Sequence, residues 1–171
     1  MIHIYFGSGK GKTTAATGLA VRAKGAGMNV VVAQFLKAMP SSEIVSLGKL
    51  GISVLRGELP LYFSPDYTAE DITKVTDEHN KLFARAVSFD QPNTLIVLDE
   101  LLDAYALGYI DREAVLSYLK NLPENIEVIL TGHSAAEEIL SLADYISEKE
   151  SVAPQPGQTV VLCLDSLVQQ A

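Results

Sequence analysis

Eight consecutive residues near the N-terminus, Gly7-Ser8-Gly9-Lys10-Gly11-Lys12-Thr13-Thr14, combine backbone freedom, positive charge and hydroxyl groups. Glycines let a loop turn so that several N–H groups face one concavity, which then favours an anion. A lysine at its end supplies a cation on a flexible stem, and the next hydroxyl is a ligand for Mg²⁺. These parts suit the triphosphate of ATP. The amides of Gly7, Ser8, Gly9, Lys10, Gly11 and Thr14 surround the phosphates, Lys12 reaches the terminal ones, and Thr13 binds the metal. The pattern is that of a P-loop with one departure: the usual first glycine, five residues before Gly11, is Phe6.

A second chemical signal is Leu95-Ile96-Val97-Leu98-Asp99-Glu100, an apolar run that ends in two acids. A carboxylate at the C-terminal end of a buried strand holds Mg²⁺ directly or through water. Thr13, Asp99 and Glu100 are therefore the metal candidates, and Lys12 and Glu100 the catalytic ones. Spacing does not decide which acid meets the metal. His133 follows Thr131-Gly132 at a predicted strand end, on the ligand side, where it either touches nucleotide or substrate or is a plain loop residue. His79 lies among polar neighbours and is expected in solvent, and His3 is expected to be structural. No histidine, cysteine and carboxylate arrangement points to another metal site or to a nucleophilic triad.

The elements that must position these groups alternate in type. Ile2–Phe6 predicts a strand and Lys12–Ala26 a helix. Val30–Gln34 predicts a second strand whose β-branched run suits burial on both faces. Ser42–Leu50 predicts a serine-capped helix stopped at Gly51, and Ile52–Leu55 a third strand. Arg56–Tyr67 holds two prolines and no period, so a loop is expected. Thr68 opens a long helix to about Phe89, with a hydroxyl cap and acids in its first turn. Thr94–Leu98 is the fourth strand, followed by two short helices split at Gly108 and restarted at Asp111. Glu127–Leu130, the helix Ala135–Leu142 and the short strand Tyr145–Ser147 complete the pattern, and Thr159–Leu164 reads as a further edge strand. Such alternation implies an α/β fold: a mainly parallel sheet with helices on both faces, P-loop NTPase-like and RecA-like. Ligands then sit at the C-terminal strand ends. A single domain over 1–171 is expected, with 148–171 as its tail.

Composition narrows the function. The chain has 171 residues, 48% hydrophobic and 20% charged, a normal globular balance. Its net charge of -8 argues against non-specific nucleic-acid binding, which needs a cationic surface. Cys163 is the one cysteine, so no intramolecular disulfide or cysteine metal cage is expected, and its apolar run makes it a buried hydrophobe. The run before the glycine loop is too short and lacks the basic start of a signal peptide, and no apolar run reaches membrane-spanning length. A cytoplasmic protein is expected.

Taken in order, these fragments resemble the P-loop ATP:corrinoid adenosyltransferases of cobalamin synthesis and salvage. That family's loop reads G-N-G-K-G-K-T-T and also lacks the first glycine, so the chain differs from it only at Ser8. The likeness continues through Ala15–Ala20, Gly27–Val30, Gln34-Phe35-Leu36-Lys37 (the family's Q-F-x-K), Leu98–Leu101, Leu130–Gly132, Leu142–Asp144 and Ser147-Glu148. Three departures stand beside it. The family's G-x-G-F-T-W segment corresponds to Gly57–Tyr62, and the chain has no tryptophan. Its T-G-R becomes Thr131-Gly132-His133, and its K-H-P or K-H-A motif is replaced by Glu150–Pro154.

The resemblance implies that a cobalt(I) corrinoid attacks the 5′ carbon of ATP and triphosphate departs. It adds Gln34, Lys37, Tyr62 and His133 to the ligand-contacting residues, a flavoprotein as electron donor, and a homodimer. Transfer needs no general base, in keeping with the lack of one. The alternative is a divergent P-loop ATPase or ATP-binding regulatory protein that has lost corrinoid binding.

Overall fold

The computed structural model describes residues 1–37, 41–58 and 67–151. They form one six-stranded sheet: β1 (Ile2–Phe6), β2 (Asn29–Gln34), β3 (Ser53–Arg56), β4 (Thr94–Asp99), β5 (Ile126–Thr131) and β6 (Tyr145–Glu148). The order across it is β3-β2-β4-β5-β1-β6, and every neighbouring pair is parallel. Parallel pairing requires a crossover between strands. The chain supplies it with helices α1 (Lys12–Gly25), α2 (Ser42–Lys49), α3 (Ala69–Val87), α4 (Leu101–Leu107), α5 (Arg112–Lys120) and α6 (Glu137–Leu140).

The helices divide between two faces because successive strand residues point opposite ways. Val30, Val32, Leu95, Val97 and Ile129 pack with Ala16, Ala20 and Ala23 of α1 and Leu47 of α2. Val31, Ala33, Ile96, Leu98, Val128 and Leu130 face the larger core, with Leu82 and Phe83 of α3, Leu101 and Tyr105 of α4, Val115 of α5 and Ile139 of α6. Alanines at helical spacing let α1 lie close to the sheet, and α1 carries the glycine loop at its start. The helices on both faces match the expected α/β class. No helix among the described residues is long and apolar enough to cross a membrane.

Helix ends follow local chemistry. Thr68 caps α3 in a reciprocal box: its hydroxyl accepts from the Asp71 amide, and the Asp71 carboxylate accepts from the Thr68 amide. The Asp111 side chain caps α5 by accepting from the Ala114 amide. Six expectations need correction or bounds. α6 is shorter than Ala135–Leu142, and β3 lies one residue later than Ile52–Leu55. His79 is buried, at 1% exposure, not in solvent. It falls on the α3 stripe Val75, His79, Leu82, Phe83, Ala86, so its helical neighbours are apolar although its sequence neighbours are polar. Tyr62, Cys163 and the predicted strand Thr159–Leu164 lie outside the described residues.

Candidate functional site

The C-terminal ends of β1, β2, β4 and β5 open onto one cleft of about 810 Å³. Lys10, Lys12, Thr13, Thr14, Lys37, Glu43, Glu100 and His133 line it. A smaller cavity of about 400 Å³ lies at the other end of the sheet among Lys24, Ser53, Asp90 and Thr94, away from the glycine loop. The chemistry belongs to the first.

The loop after β1 is closed by its own lysine. Lys12 Nζ donates to the Gly7 and Gly9 carbonyls, both at 2.7 Å. Gly11, at φ 96°, forms the left-handed turn into α1, so glycine is needed there for backbone reasons. Gly7, at φ 112°, shares that backbone reason, and both Gly7 and Gly9 have a steric one. A Cβ on Gly7 would fall 2.3 Å from the Lys149 carbonyl oxygen, and one on Gly9 would fall 2.8 Å from Glu150. The segment after β6 therefore lies directly on the loop. The Gly9 amide donates to the Lys149 carbonyl at 2.7 Å, and the Lys149 amide donates to Phe6 at 2.7 Å. Ser151 adds contacts to Ser8 at 3.4 and 3.3 Å. No sequence pattern announced this strap.

The two acids at the end of β4 separate into different environments. Asp99 is 1% exposed and fully engaged: Oδ1 accepts from Thr13 Oγ1 at 2.9 Å and Thr131 Oγ1 at 2.7 Å. Its Oδ2 accepts from Lys37 Nζ at 2.6 Å and Gln34 Nε2 at 3.3 Å. Thr131, at the end of the intervening strand β5, also accepts from the Glu100 amide at 2.9 Å. It thereby ties the two acids to the sheet, although sequence reasoning gave it no role. Its signal was a polar residue at a strand's C-terminal end.

Glu100 takes φ 62° at the start of α4, a left-handed conformation that a side-chain-bearing residue adopts at some cost. The turn brings its carboxylate to the cleft wall, 3.5 Å from Lys37 Nζ. Burial pushes Glu100 up to about 7; Lys37 opposes this and Asp99 adds to it. Burial also disfavours the Lys37 ammonium, but Asp99 and Glu100 outweigh it and hold Lys37 above its ordinary value. The two directions agree once the distances are compared: Lys37 sits against Asp99, so Glu100 receives only part of its charge.

His133 is exposed at the cleft rim. Asp103 holds it, accepting from its amide at 2.9 Å and meeting its Nδ1 at 3.0 Å, while its carbonyl accepts from the Gly7 amide at 3.1 Å. Gln34 is buried, and its Nε2 also reaches Glu43 at 3.3 Å. Its Oε1 has no partner among the described residues. Of the sequence-derived site residues, Gly7 to Thr14, Gln34, Lys37, Asp99, Glu100 and His133 converge here. His3, in β1, stacks on Tyr145 with centroids 5.0 Å apart.

Magnesium favours hard oxygens, near-octahedral geometry and retained water, so it is usually bound by one or two protein groups plus phosphate. Thr13 Oγ1 and Asp99 Oδ1, 2.9 Å apart beside the loop, are such a pair, and the Glu100 carboxylate lines the same cleft. The donor set fits the ion.

A glycine loop between strand and helix, joined through a threonine to a buried aspartate two strands away, defines a P-loop NTPase-like fold of the α/β class. The chain belongs to the ATP:corrinoid adenosyltransferase BtuR/CobO/CobP family, whose model matches residues 1–158. It is 35% identical over 161 residues to the corrinoid adenosyltransferase CobA of Salmonella typhimurium, covering 89% of this chain and 77% of that protein. It is 34% identical over 155 residues to the corrinoid adenosyltransferase of Escherichia coli, with the same coverage. With that of a Sinorhizobium species it shares 32% identity over 158 residues, covering 89% of this chain and 72% of the relative. The chain is thus a member of a transferase family.

Proposed function

We propose that the protein transfers the 5′-deoxyadenosyl group of ATP to a reduced cobalt(I) corrinoid and releases triphosphate. The carrying observation is the Lys12–Thr13–Asp99–Glu100 cluster around one cleft, in a chain of this family. In the reaction a cobalt–carbon bond forms as the bond between C5′ and the triphosphate oxygen breaks. The bonding electron pair leaves on triphosphate, and no proton has to move.

The protein's task is to place the reacting atoms and to stabilise the departing charge. Lys12 exchanges the Gly7 and Gly9 carbonyls for phosphate oxygens, and the amides of Ser8, Lys10 and Gly11 line the same concavity. Thr13 and Asp99 would hold Mg²⁺, which would supply positive charge to the triphosphate. Lys37 orients Asp99 and contributes a further cation at the cleft wall. Glu100 faces the cleft as the second acid, and His133, oriented by Asp103 through Nδ1, presents its other ring nitrogen at the rim. Gln34 fixes Asp99 from beneath.

The corrinoid side is carried by the chain after β3. Gly57 and Glu58 are anchored on α3, where the Glu58 amide donates to the Glu78 carboxylate at 2.7 Å. Tyr62, four residues further along the sequence and outside the described residues, is the proposed aromatic contact to the corrin. A flavoprotein reductant, a homodimer, a single domain over the whole chain and a cytoplasmic setting complete the reading. Family membership favours it over a divergent ATPase or regulatory protein.

The test is incubation with Mg-ATP and chemically reduced cobalamin or cobinamide while following the visible spectrum. The expected result is a light-sensitive cobalt–carbon product that requires ATP. ATP binding without product from either corrinoid, or phosphate release without corrinoid, would overturn the proposal in favour of the ATPase or regulatory reading.

A further inference from the structure

His79 is a buried ionisable side chain that does not touch the cleft. Its Nδ1 lies 3.0 Å from the Tyr109 carbonyl, in the turn between α4 and α5. A carbonyl oxygen only accepts, so Nδ1 carries the proton and Nε2 keeps its lone pair. That lone pair accepts from the Leu36 amide at 3.4 Å. The ring stands edge-on to Phe35, with centroids 5.6 Å apart at 70°. Burial holds the imidazole below its ordinary value, in keeping with a neutral ring serving as an acceptor.

The residue it holds is unusual. Leu36 has φ 51°, in the left-handed region that L side chains adopt at a cost, and its side chain is buried. Just before it, the Phe35 amide donates to the Asp99 carbonyl at 2.9 Å, so the chain still follows the β2–β4 ladder. At Leu36 it turns. Just after it, Lys37 lays its ammonium 2.6 Å from Asp99 Oδ2 and 3.3 Å from Thr13 Oγ1, while its carbonyl accepts from Arg56 at 3.1 Å. The turn at Leu36 therefore decides whether Lys37 points back over the strand ends, and His79 supplies a side-chain partner for the amide at that turn.

We infer that His79 is a positioning residue for the nucleotide site: it pins the left-handed Leu36 so that the Lys37 ammonium sits between Asp99 and Thr13. The inference rests on the nucleotide reading of the cleft proposed above. It extends that reading to a side chain on the far side of the β2–α2 connection.

The experiment is a double-mutant cycle on the full chain, reading the Kd for Mg-ATP by calorimetry, with thermal unfolding as the check on folding. His79→Leu should weaken Mg-ATP binding about tenfold in the wild-type background, a typical effect of leaving a buried amide without a partner. In a Lys37→Ala background it should change the Kd less than about twofold. Equal losses in both backgrounds, or no loss in either, would overturn the inference, because a general structural defect does not depend on Lys37.

Two further variants separate the contacts should His79→Leu fail to fold. The Gln side chain reaches the Nε2 position and can accept from Leu36, whereas Asn reaches only the Nδ1 position and can serve only Tyr109. His79→Gln should therefore bind Mg-ATP within about threefold of wild type and His79→Asn should not; the reverse order would overturn the inference. Since the readout is nucleotide binding, failure of corrinoid turnover leaves it intact. Absence of Mg-ATP binding by the wild-type chain would instead remove the nucleotide reading and the inference with it.

Discussion

Glu100→Gln isolates the electrostatic strain stored in the cleft. In the folded chain Glu100 titrates at about 7, against 4.5 for the free side chain, chiefly because it is desolvated. Between those values the folded state holds a proton that the unfolded state has lost, so the contribution of Glu100 to stability is most favourable below pH 4.5 and is lost as pH rises through about 7. A tenfold change in proton affinity corresponds to about 1.4 kcal/mol, which sets an upper bound of about 3 kcal/mol. The side chain is 23% exposed and Lys37 lies within reach, so we expect about 1–3 kcal/mol to be expressed. Gln has the shape of the protonated acid and no charge. Urea unfolding of the nucleotide-free, magnesium-free protein should give equal stabilities for wild type and Glu100→Gln near pH 4.5. At pH 8 the variant should be more stable by that amount, with a midpoint shifted at unchanged slope. Taking the difference between the two proteins removes the titration of groups they share. A gap that is constant with pH, or a variant less stable at pH 8, would refute burial as the cause.

Three further outcomes follow from particular contacts. Lys12→Ala removes the cation of the loop, so adenosyl transfer should fall by at least about 100-fold in a chain that still folds; activity within tenfold of wild type would remove Lys12 from the site. Gly9→Ala pushes a methyl group into Glu150 and should cost about 1–3 kcal/mol in urea unfolding, whereas Gly48→Ala, with open space around it in α2, should gain about 0.5–1 kcal/mol. Equal effects of the two would show that the strap over the loop yields freely. Thr68→Ala breaks the reciprocal cap of α3 and should cost about 1 kcal/mol by the same measurement, with loss below about 0.3 kcal/mol counting against the capping box.

Strand β1, helix α1 and the acidic end of β4 were legible because their signals are local. A β-branched or apolar run, a glycine loop and the first turn of a helix are each contiguous in the chain. Local chemistry also set the Thr68 and Asp111 caps, since each cap hydroxyl or carboxylate meets an amide three residues on. The proposed class of ligand rests on the same short stretches, because phosphate binding by backbone amides needs only a loop and the helix that follows it.

Other features depended on which elements became neighbours in space. The split between Asp99 and Glu100 is one: adjacent residues at a strand end turn different ways, and only the placement of β5 between β1 and β4 puts Thr131 against Asp99 while Glu100 swings to the cleft. Lys149 and Ser151 meet the glycine loop because β6 pairs in parallel with β1, which delivers the end of one strand beside the end of the other. His79 was misread because its polar sequence neighbours lie on other faces of α3, while its spatial neighbours Phe35, Leu36 and Tyr109 come from distant segments. Contiguous residues therefore determined the phosphate loop and the alternation of strands and helices, through propensity and backbone conformation. Burial, the partner of each charge and the reach of Lys37 were decided by sheet order and helix packing, because those set distances between atoms far apart along the chain.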